Sequence, residues 1–393
     1  MRITWVTRSF LDYRIPVYAA INKLCNNNLS VIYFKDVVPE RCQEKMNAIL
    51  GERAIGLKGE IRIGGKKKEN QTFANNGGLR IPIRPGLLRK LKNTKPDIVI
   101  SDGFFQWTYA ALLLNAFYSI PHIMCYERTS HTERNVTFVR SSARKLASKY
   151  ISGITCNGIE TRNYLEKFGY PKYKLFIGNM AADTEGLKLA LSKVNESKIQ
   201  KIKEKYEIKG SVFLYVGQLI PRKGVMEMLE NWRIFSLHKN NVNLLLVGDG
   251  EQLQEAKDYL EEHDLHSVKI LGRIDYSEVS TIYALSDIFI IPTLEDNWSL
   301  VVPEAMSCSL PILSSKYNGC WPELVKPENG WVFDPLDKNN FIETLEKALI
   351  NKDNWKNMGE ASRKIVEDFS PNKIASQIFN SCNQLIAESN YES

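Results

Sequence analysis

The sequence predicts an α/β protein made of two doubly wound, Rossmann-like domains facing a cleft. At 393 residues the chain exceeds an ordinary domain of about 100–200 residues. Short apolar runs recur between stretches of helical period, which is the pattern of parallel strands covered on both faces. The pattern runs through the chain twice, more clearly the second time. Hydrophobic residues at 44% and charged residues at 25% match a folded globular chain and exclude an intrinsically disordered one.

In the first half, RITWVT reads as a strand, Pro16 to Cys25 as a helix and LSVIYF as a strand. A basic loop region follows, then the strand DIVIS, a helix, the strand PHIMCYE, a helix near Arg140 to Lys149, and GITCNG. These elements make a first domain over residues 1–180. The apolar stretch from Gly103 to Ile120 is interrupted by Gln106 and Asn115. It falls short of the ~20 residues a spanning helix needs, so it is read as a buried helix after DIVIS. MRITWVT lacks the basic start, apolar stretch and small-residue cleavage site of a secretory signal. Seven cysteines, at 25, 42, 125, 156, 308, 320 and 382, are odd in number and form no CxxC pair. That usage indicates neither a disulfide framework nor a zinc site and suits a reducing compartment. A cytoplasmic protein without a bound metal is the expectation.

Charge is uneven. The chain carries a net +7, yet Lys58 to Lys95 alone holds eleven Lys or Arg against two Glu, leaving the remainder slightly acidic. Because the basicity is local, no nucleic-acid partner is expected. Interleaved with Leu79, Ile81, Ile83, Leu87 and Leu88, the basic segment is either a solvated loop or a surface lying against anionic lipid headgroups or an acidic acceptor. Both readings stay open, the second with a peripheral location at the inner face of a membrane.

The linker is expected between Asn179 and about Glu196, and the second domain over 196–369. SVFLYVG, VNLLLVG, VKILG, DIFIIPT, LPILSS and GWVFDP read as its strands, with helices such as LQEAKDYLEEH and SEVSTIYALS between most of them. A helical tail over 370–393 closes the chain. Three of the strand-to-helix junctions carry candidate chemistry. In PTLEDNWSLVVPEAMSCSLPIL, Pro292 to Leu313, a loop enters a helix whose first turn holds Pro303, tolerated there because the first helical N–H groups lack intrahelical partners. The N–H groups at Ser299, Leu300 and Val301, with the positive helix end, suit a diphosphate. Glu304, one turn in, can reach a ribose diol. In VGQLIPRKGV, Gly217, Gln218, Arg222 and Lys223 form a loop able to hold phosphates through backbone N–H groups and cations. In LLLVGDGEQL, Gly248 and Gly250 serve the turn more often than a ligand. In the first half, Glu127, Arg128 and His131 of CYERTSHTERN follow the end of a strand, where such folds place ligands.

These segments resemble the retaining GT-B glycosyltransferases of family 4, the glycosyl transferases group 1. Asp296 and Glu304 have the family's separation of seven intervening positions, and AMSCSLPIL follows as its Ala-Met-Ala-like helix does. The family usually has Glu first and then Gly-Phe-Gly. Here Asp296-Asn297-Trp298-Ser299 stands there, with Glu295 one place earlier, so either acid is a candidate for the sugar hydroxyls. Lys223 and Gly224 match the family loop Gly-Arg-Leu-x-x-x-Lys-Gly, but its Arg position is Gln218 and Arg222 is expected to restore the charge. Where many members hold His against the donor sugar, this chain has Glu127, with His131 four residues later. The Glu-Arg pair resembles a subset acting on polysaccharide or lipid-linked glycans. NGCWPELV and NGWVFDP follow the family's closing pattern, with Glu323 supporting the site. The resemblance is strong from Ile208 to Phe369 and weak in the first half.

The resemblance implies a hexosyltransferase-like enzyme, independent of metal and of any cofactor. It would move a sugar from a UDP- or GDP-linked donor, with retention, to a glycan or lipid-linked acceptor in cell-surface polysaccharide or lipopolysaccharide biosynthesis. It also implies that the tail crosses back to the first domain. No Asp-x-Asp motif is present. Lys223, Arg222 and the helix N-terminus would supply preorganised positive charge, the departing phosphate oxygen would take the acceptor's proton, and Glu127 would position or polarise. Two other readings stand beside this one: a nucleotide-sugar epimerase of the same fold, and a non-catalytic glycan-binding or assembly protein, which Gln218 and Asp296 favour.

Overall fold

The computed structural model describes residues 1–63, 81–105, 107–178, 180–239 and 241–392. Its strands are β1 (Ile3–Val6), β2 (Leu29–Phe34), β3 (Ala54–Leu57), β4 (Ile61–Ile63), β5 (Ile81–Ile83), β6 (Ile98–Asp102), β7 (His122–Tyr126), β8 (Gly153–Cys156) and β9 (Leu175–Ile177) in the first half. The second half adds β10 (Ser211–Val216), β11 (Val242–Val247), β12 (Val268–Gly272), β13 (Ile288–Ile291), β14 (Ile312–Ser315) and β15 (Gly330–Phe333). Two large sheets result, ordered β3-β2-β1-β6-β7-β8-β9 and β12-β11-β10-β13-β14-β15, and all their pairings are parallel. β4 and β5 form a separate antiparallel pair.

The central strands are apolar at successive positions because helices cover both faces. On β2, Leu29, Val31 and Tyr33 enter one core while Ile32 and Phe34 enter the opposite one. On β10, Val212 and Leu214 face one side and Phe213 and Tyr215 the other. Fully burying side chains of this size stabilises by about 1.5–3 kcal/mol each, so a sheet sandwiched between helices draws on both faces at once. Chain direction across each sheet reverses between β1 and β6 and between β10 and β13. Those reversals place a crevice at the carboxyl ends of the strands.

Two segments differ in detail from expectation. The basic region is more than a loop: it contributes the antiparallel pair of β4 and β5 and the helix Leu87–Asn93, whose Leu87 and Leu91 are buried against Val6, Ile32 and Trp107. Leu87 is therefore not available to an external surface, and Leu88 packs partly against the same core. Leu79 and the three-lysine run at 66–68 lie outside the described residues. The expected linker contains a helix, Thr184–Leu191, because Leu187 and the preceding Met180 are buried in the second domain's core. The tail helix, Pro371–Glu392, lies on the first domain, with Ile374, Ala375, Ile378, Cys382 and Leu385 in one cluster with Ile3, Trp5 and Tyr18.

The apolar stretch after β6 forms the helix Thr108–Tyr118, with Ala110, Ala111 and Leu114 buried and Phe117 and Tyr118 exposed. Among the described residues, no helix is long and apolar enough to cross a membrane. All seven cysteines are buried as core residues.

Candidate functional site

The loops after β10 and β13 meet at the reversal point of the second sheet. The first runs through the short turn Pro221–Lys223 to Gly224, whose φ of 67° is open to glycine and strained for other residues. A Cβ there would lie 2.2 Å from the Pro292 carbonyl oxygen, so the glycine also permits the close approach of the two loops. The Arg222 carbonyl completes the junction by accepting from Leu294 N at 2.9 Å, Glu295 N at 3.1 Å and Thr293 Oγ1 at 3.0 Å. The Arg222 guanidinium lies along the same loop, donating from Nη1 to the Glu295 carbonyl at 3.4 Å.

This junction brings Lys223 and Asp296 into an ion pair, both side chains 13% exposed. Asp296 also accepts from Ser299 Oγ and, at 3.2 Å, from Trp298 N. Burial pushes the Asp296 carboxyl up, but the Lys223 ammonium and the hydrogen bonds outweigh it and hold the group below the usual carboxylate range. The helix that follows is Val301–Ser307, with Pro303 in its first turn. One of the N–H groups expected to be free is not: Ser299 N donates to Asn318 Oδ1 at 3.3 Å, because the β14 loop folds under the helix entrance. Among the described residues, no hydrogen bond engages Leu300 N or Val301 N. One turn further, Glu304 Oε2 accepts from Tyr283 Oη at 3.3 Å. Burial pushes its carboxyl up to about 7, the Tyr283 hydrogen bond opposing and the nearby Asp183 charge adding to the shift.

Glu295 turns away from this cluster. It pairs with Arg134 of the first domain at 2.7 Å, while Asp296 turns inward to Lys223. Geometry thus separates the two acids that the sequence left as alternatives. Gln218 is exposed, and its carbonyl accepts from Tyr215 Oη at 2.8 Å. Gly217 and Gly248 pack backbone to backbone, and a Cβ on Gly248 would stand 1.7 Å from the Gly217 carbonyl oxygen. Gly250 is pressed likewise against the Leu219 carbonyl, at 2.3 Å for its would-be Cβ.

Across the cleft, Glu127 follows β7. Thr161 Oγ1 donates to its carbonyl at 3.1 Å, and its Oε1 accepts from Asn297 Nδ2 of the second domain at 3.4 Å. Burial pushes the Glu127 carboxyl up against the opposing pull of Arg128 and Arg14, with Asp102 and Asp296 adding to the rise. Arg128 lies beside Glu133 at 3.7 Å. His131 also bridges the domains: its Nε2 donates to the Leu294 carbonyl at 2.8 Å, and its ring stacks on Tyr317 at 4.7 Å. Its ring is committed to the loop that carries Asp296.

Sequence reasoning missed Asn297, Asn318, Tyr317, Arg134 and Tyr283, all of which touch the predicted residues. Asn297 and Tyr317 act across the cleft, and Asn297 Oδ1 is buried without a hydrogen-bond partner among the described residues. Glu323 accepts from Trp298 Nε1 at 3.1 Å, holding the Asp296 loop from behind, and burial pushes its carboxyl up to about 7 against that hydrogen bond. Among the described residues, no group of three or more His, Cys, Asp or Glu side chains is placed to hold a metal ion.

Residues 196–365, a little under half of the chain, match the family described as glycosyl transferases group 1. The chain is 23% identical over 157 residues to an uncharacterized glycosyltransferase of Methanocaldococcus jannaschii, covering 40% of this chain and 43% of that protein. It is 25% identical over 219 residues to the capsular polysaccharide biosynthesis glycosyltransferase CapM of Staphylococcus aureus, covering 53% and 56%. The matches thus span about half the length of these relatives. Among solved structures, Anabaena HepE in complex with UDP superposes with a TM-score of 0.75 at 16% identity, covering 98% of this chain and 100% of that one. That likeness shows the fold, GT-B: two Rossmann-like domains facing a cleft.

Proposed function

We propose that this protein, whose second domain matches the glycosyl transferases group 1, is a glycosyltransferase acting on a nucleotide-diphosphate sugar. The observation that carries the reading is the Lys223–Asp296 pair at the reversal point of the second sheet, with Glu304 in the first turn of the helix that follows and Glu127 reaching the same loop at Asn297 from the first domain. In this reading Glu304 accepts from the ribose hydroxyls. Lys223, Arg222 and the N–H groups of Leu300 and Val301 bind the diphosphate. Asp296 orients Lys223 and reaches a sugar hydroxyl. Glu127 positions or polarises the sugar from the opposite wall.

The acceptor hydroxyl oxygen forms a bond to the anomeric carbon as the bond from that carbon to the diphosphate breaks. The acceptor's proton passes to the departing diphosphate oxygen on the same face, so configuration is retained and no protein base is needed. Positive charge fixed before the reaction stabilises the leaving group without reorganisation. The donor is UDP- or GDP-linked, and the step needs no metal. The acceptor is a glycan or lipid-linked glycan of cell-surface polysaccharide assembly, a reading supported by the similarity to CapM and by the Glu127-Arg128 pair.

A thermal-shift screen of nucleotide sugars tests the donor site. A ligand at about 100 times its Kd stabilises by about 2.7 kcal/mol, a shift of roughly 5–10 °C for domains of this size. Glu304→Ala is expected to lose most of that shift and nearly all transfer. A full shift with wild-type turnover in Glu304→Ala would remove Glu304 from the site. Conversion of the donor to an epimer without an acceptor would overturn the transferase reading.

A further inference from the structure

The helix Phe138–Ala147 is unlike the other helices of its length because it buries none of its residues. Phe138 is 85% exposed, Val139 71% and Leu146 62%. With the exposed Ser142 they fall at i, i+1, i+4 and i+8, along one side of the helix. The helix is held firmly from its other side. Arg144 binds Glu133 at 2.5 Å and lies over the Phe104 ring at 5.4 Å, and the Thr137 side chain caps the N-terminus. Exposure of its apolar side is therefore a property of the folded domain.

The two sequence segments that frame this face are basic. Residues 135–152 contain four Lys or Arg and no acid, and residues 84–96 contain five and no acid. Between these two segments runs the uncharged helix Thr108–Tyr118, which touches both the turn Ser148–Tyr150 and the helix Leu87–Asn93. Its end presents Phe117, 72% exposed, and Tyr118, with Lys92 Nζ 4.1 Å from the Tyr118 ring centre.

We propose that this face, centred on Phe138, Val139 and Leu146 and flanked by Lys145 and Lys149, docks the first domain on an anionic lipid bilayer. Apolar side chains would enter the boundary between headgroups and acyl chains while the lysines and arginines pair with lipid phosphates. The helix follows directly on the loop that carries Glu127 and His131. Docking would therefore hold the cleft one loop away from the bilayer, where a lipid-linked acceptor is presented. The docking itself does not depend on the donor assignment.

Co-sedimentation of the full chain with vesicles of phosphatidylcholine alone, or mixed with phosphatidylglycerol, tests the surface at low and high salt. Binding is expected to the mixed vesicles and to weaken with salt. The double variants Phe138→Glu with Leu146→Glu, and Lys145→Glu with Lys149→Glu, are each expected to lower it on the order of tenfold or more. Because these side chains are exposed, the thermal midpoint and the nucleotide-sugar shift should not move. The proposal is overturned if the wild type fails to bind mixed vesicles, binds phosphatidylcholine alone equally well, or is matched by the variants. A dimer in solution that the Phe138→Glu, Leu146→Glu variant dissolves would overturn it in favour of a second copy of the chain.

Discussion

Glu304 and Asp296 are both buried on one loop-and-helix segment, yet their environments drive them in opposite directions. Asp296 has Lys223 and stays ionised, whereas Glu304 has a single tyrosine hydroxyl and burial pushes it up to about 7. Nucleotide binding should read this difference. If the ribose hydroxyls donate to the Glu304 carboxylate, the bound state favours the ionised form and its carboxyl titrates below 7. Between the bound and free values, binding must expel a proton, so affinity rises with pH up to about 7 and is flat above it. A nucleotide sugar titrated by calorimetry from pH 5.5 to 8 should show that rise, with proton release in the acid range. Glu304→Gln should bind more weakly and lose the slope. An unchanged slope in Glu304→Gln would assign the titration to another group. The same comparison explains why sequence spacing could rank the two acids as a pair without distinguishing their states: the ammonium that holds Asp296 comes from a loop 73 residues earlier.

At the scale of elements, the central strands were legible because helices cover both faces, leaving uninterrupted runs such as VFLYV and NLLLV. β3 and β9 were not, being four and three residues long at the sheet edges. In β3, Gly56 breaks the apolar run because the Tyr33 ring sits 3.1 Å from where its Cβ would be. The motif from Pro292 to Leu313 was legible because its loop and helix are contiguous. Its contacts with Glu127 and His131 were not, since they depend on how two domains meet. The junction of the loops after β10 and β11 gives a sharp test. Gly248 has φ 147° and its would-be Cβ overlaps the Gly217 carbonyl, backbone against backbone, where no side chain can yield. Gly248→Ala should lose at least the roughly 1–3 kcal/mol of backbone strain, seen as a midpoint lower by about 3–10 °C, and should weaken nucleotide binding by shifting the Gly217 loop. Gly169→Ala, at φ 103° with open space around it, should cost stability alone and leave nucleotide affinity intact. Equal affinity losses in both variants would mean that the Gly217 loop is not part of the donor site.

For the whole molecule, the tail helix decides whether the two domains are independent. It starts on the second domain's side and ends in the first domain's core, so the chain closes the first domain only after the second has been made. Removing the tail's apolar side would uncover Ile3, Trp5, Val17 and Ile21, which pack in the same cluster. Ile378 is fully buried there. Replacing it by Asp would bury a carboxyl with no cation provided for it, a change of the class that costs several kcal/mol unless the helix detaches. Detachment is the cheaper response, because the helix can leave as a unit and keep its backbone hydrogen bonds. Ile378→Asp should therefore lose hydrogen-exchange protection in the helix Ile15–Leu24 and in β1, while β10, β11 and β13 of the second domain stay protected and nucleotide sugar still binds. Transfer should fall further than nucleotide binding does, because Glu127 belongs to the domain that loosens. Loss of protection spread evenly over both sheets would show that the two domains unfold as one, and unchanged protection in Ile15–Leu24 would show that the tail contributes little to the first core.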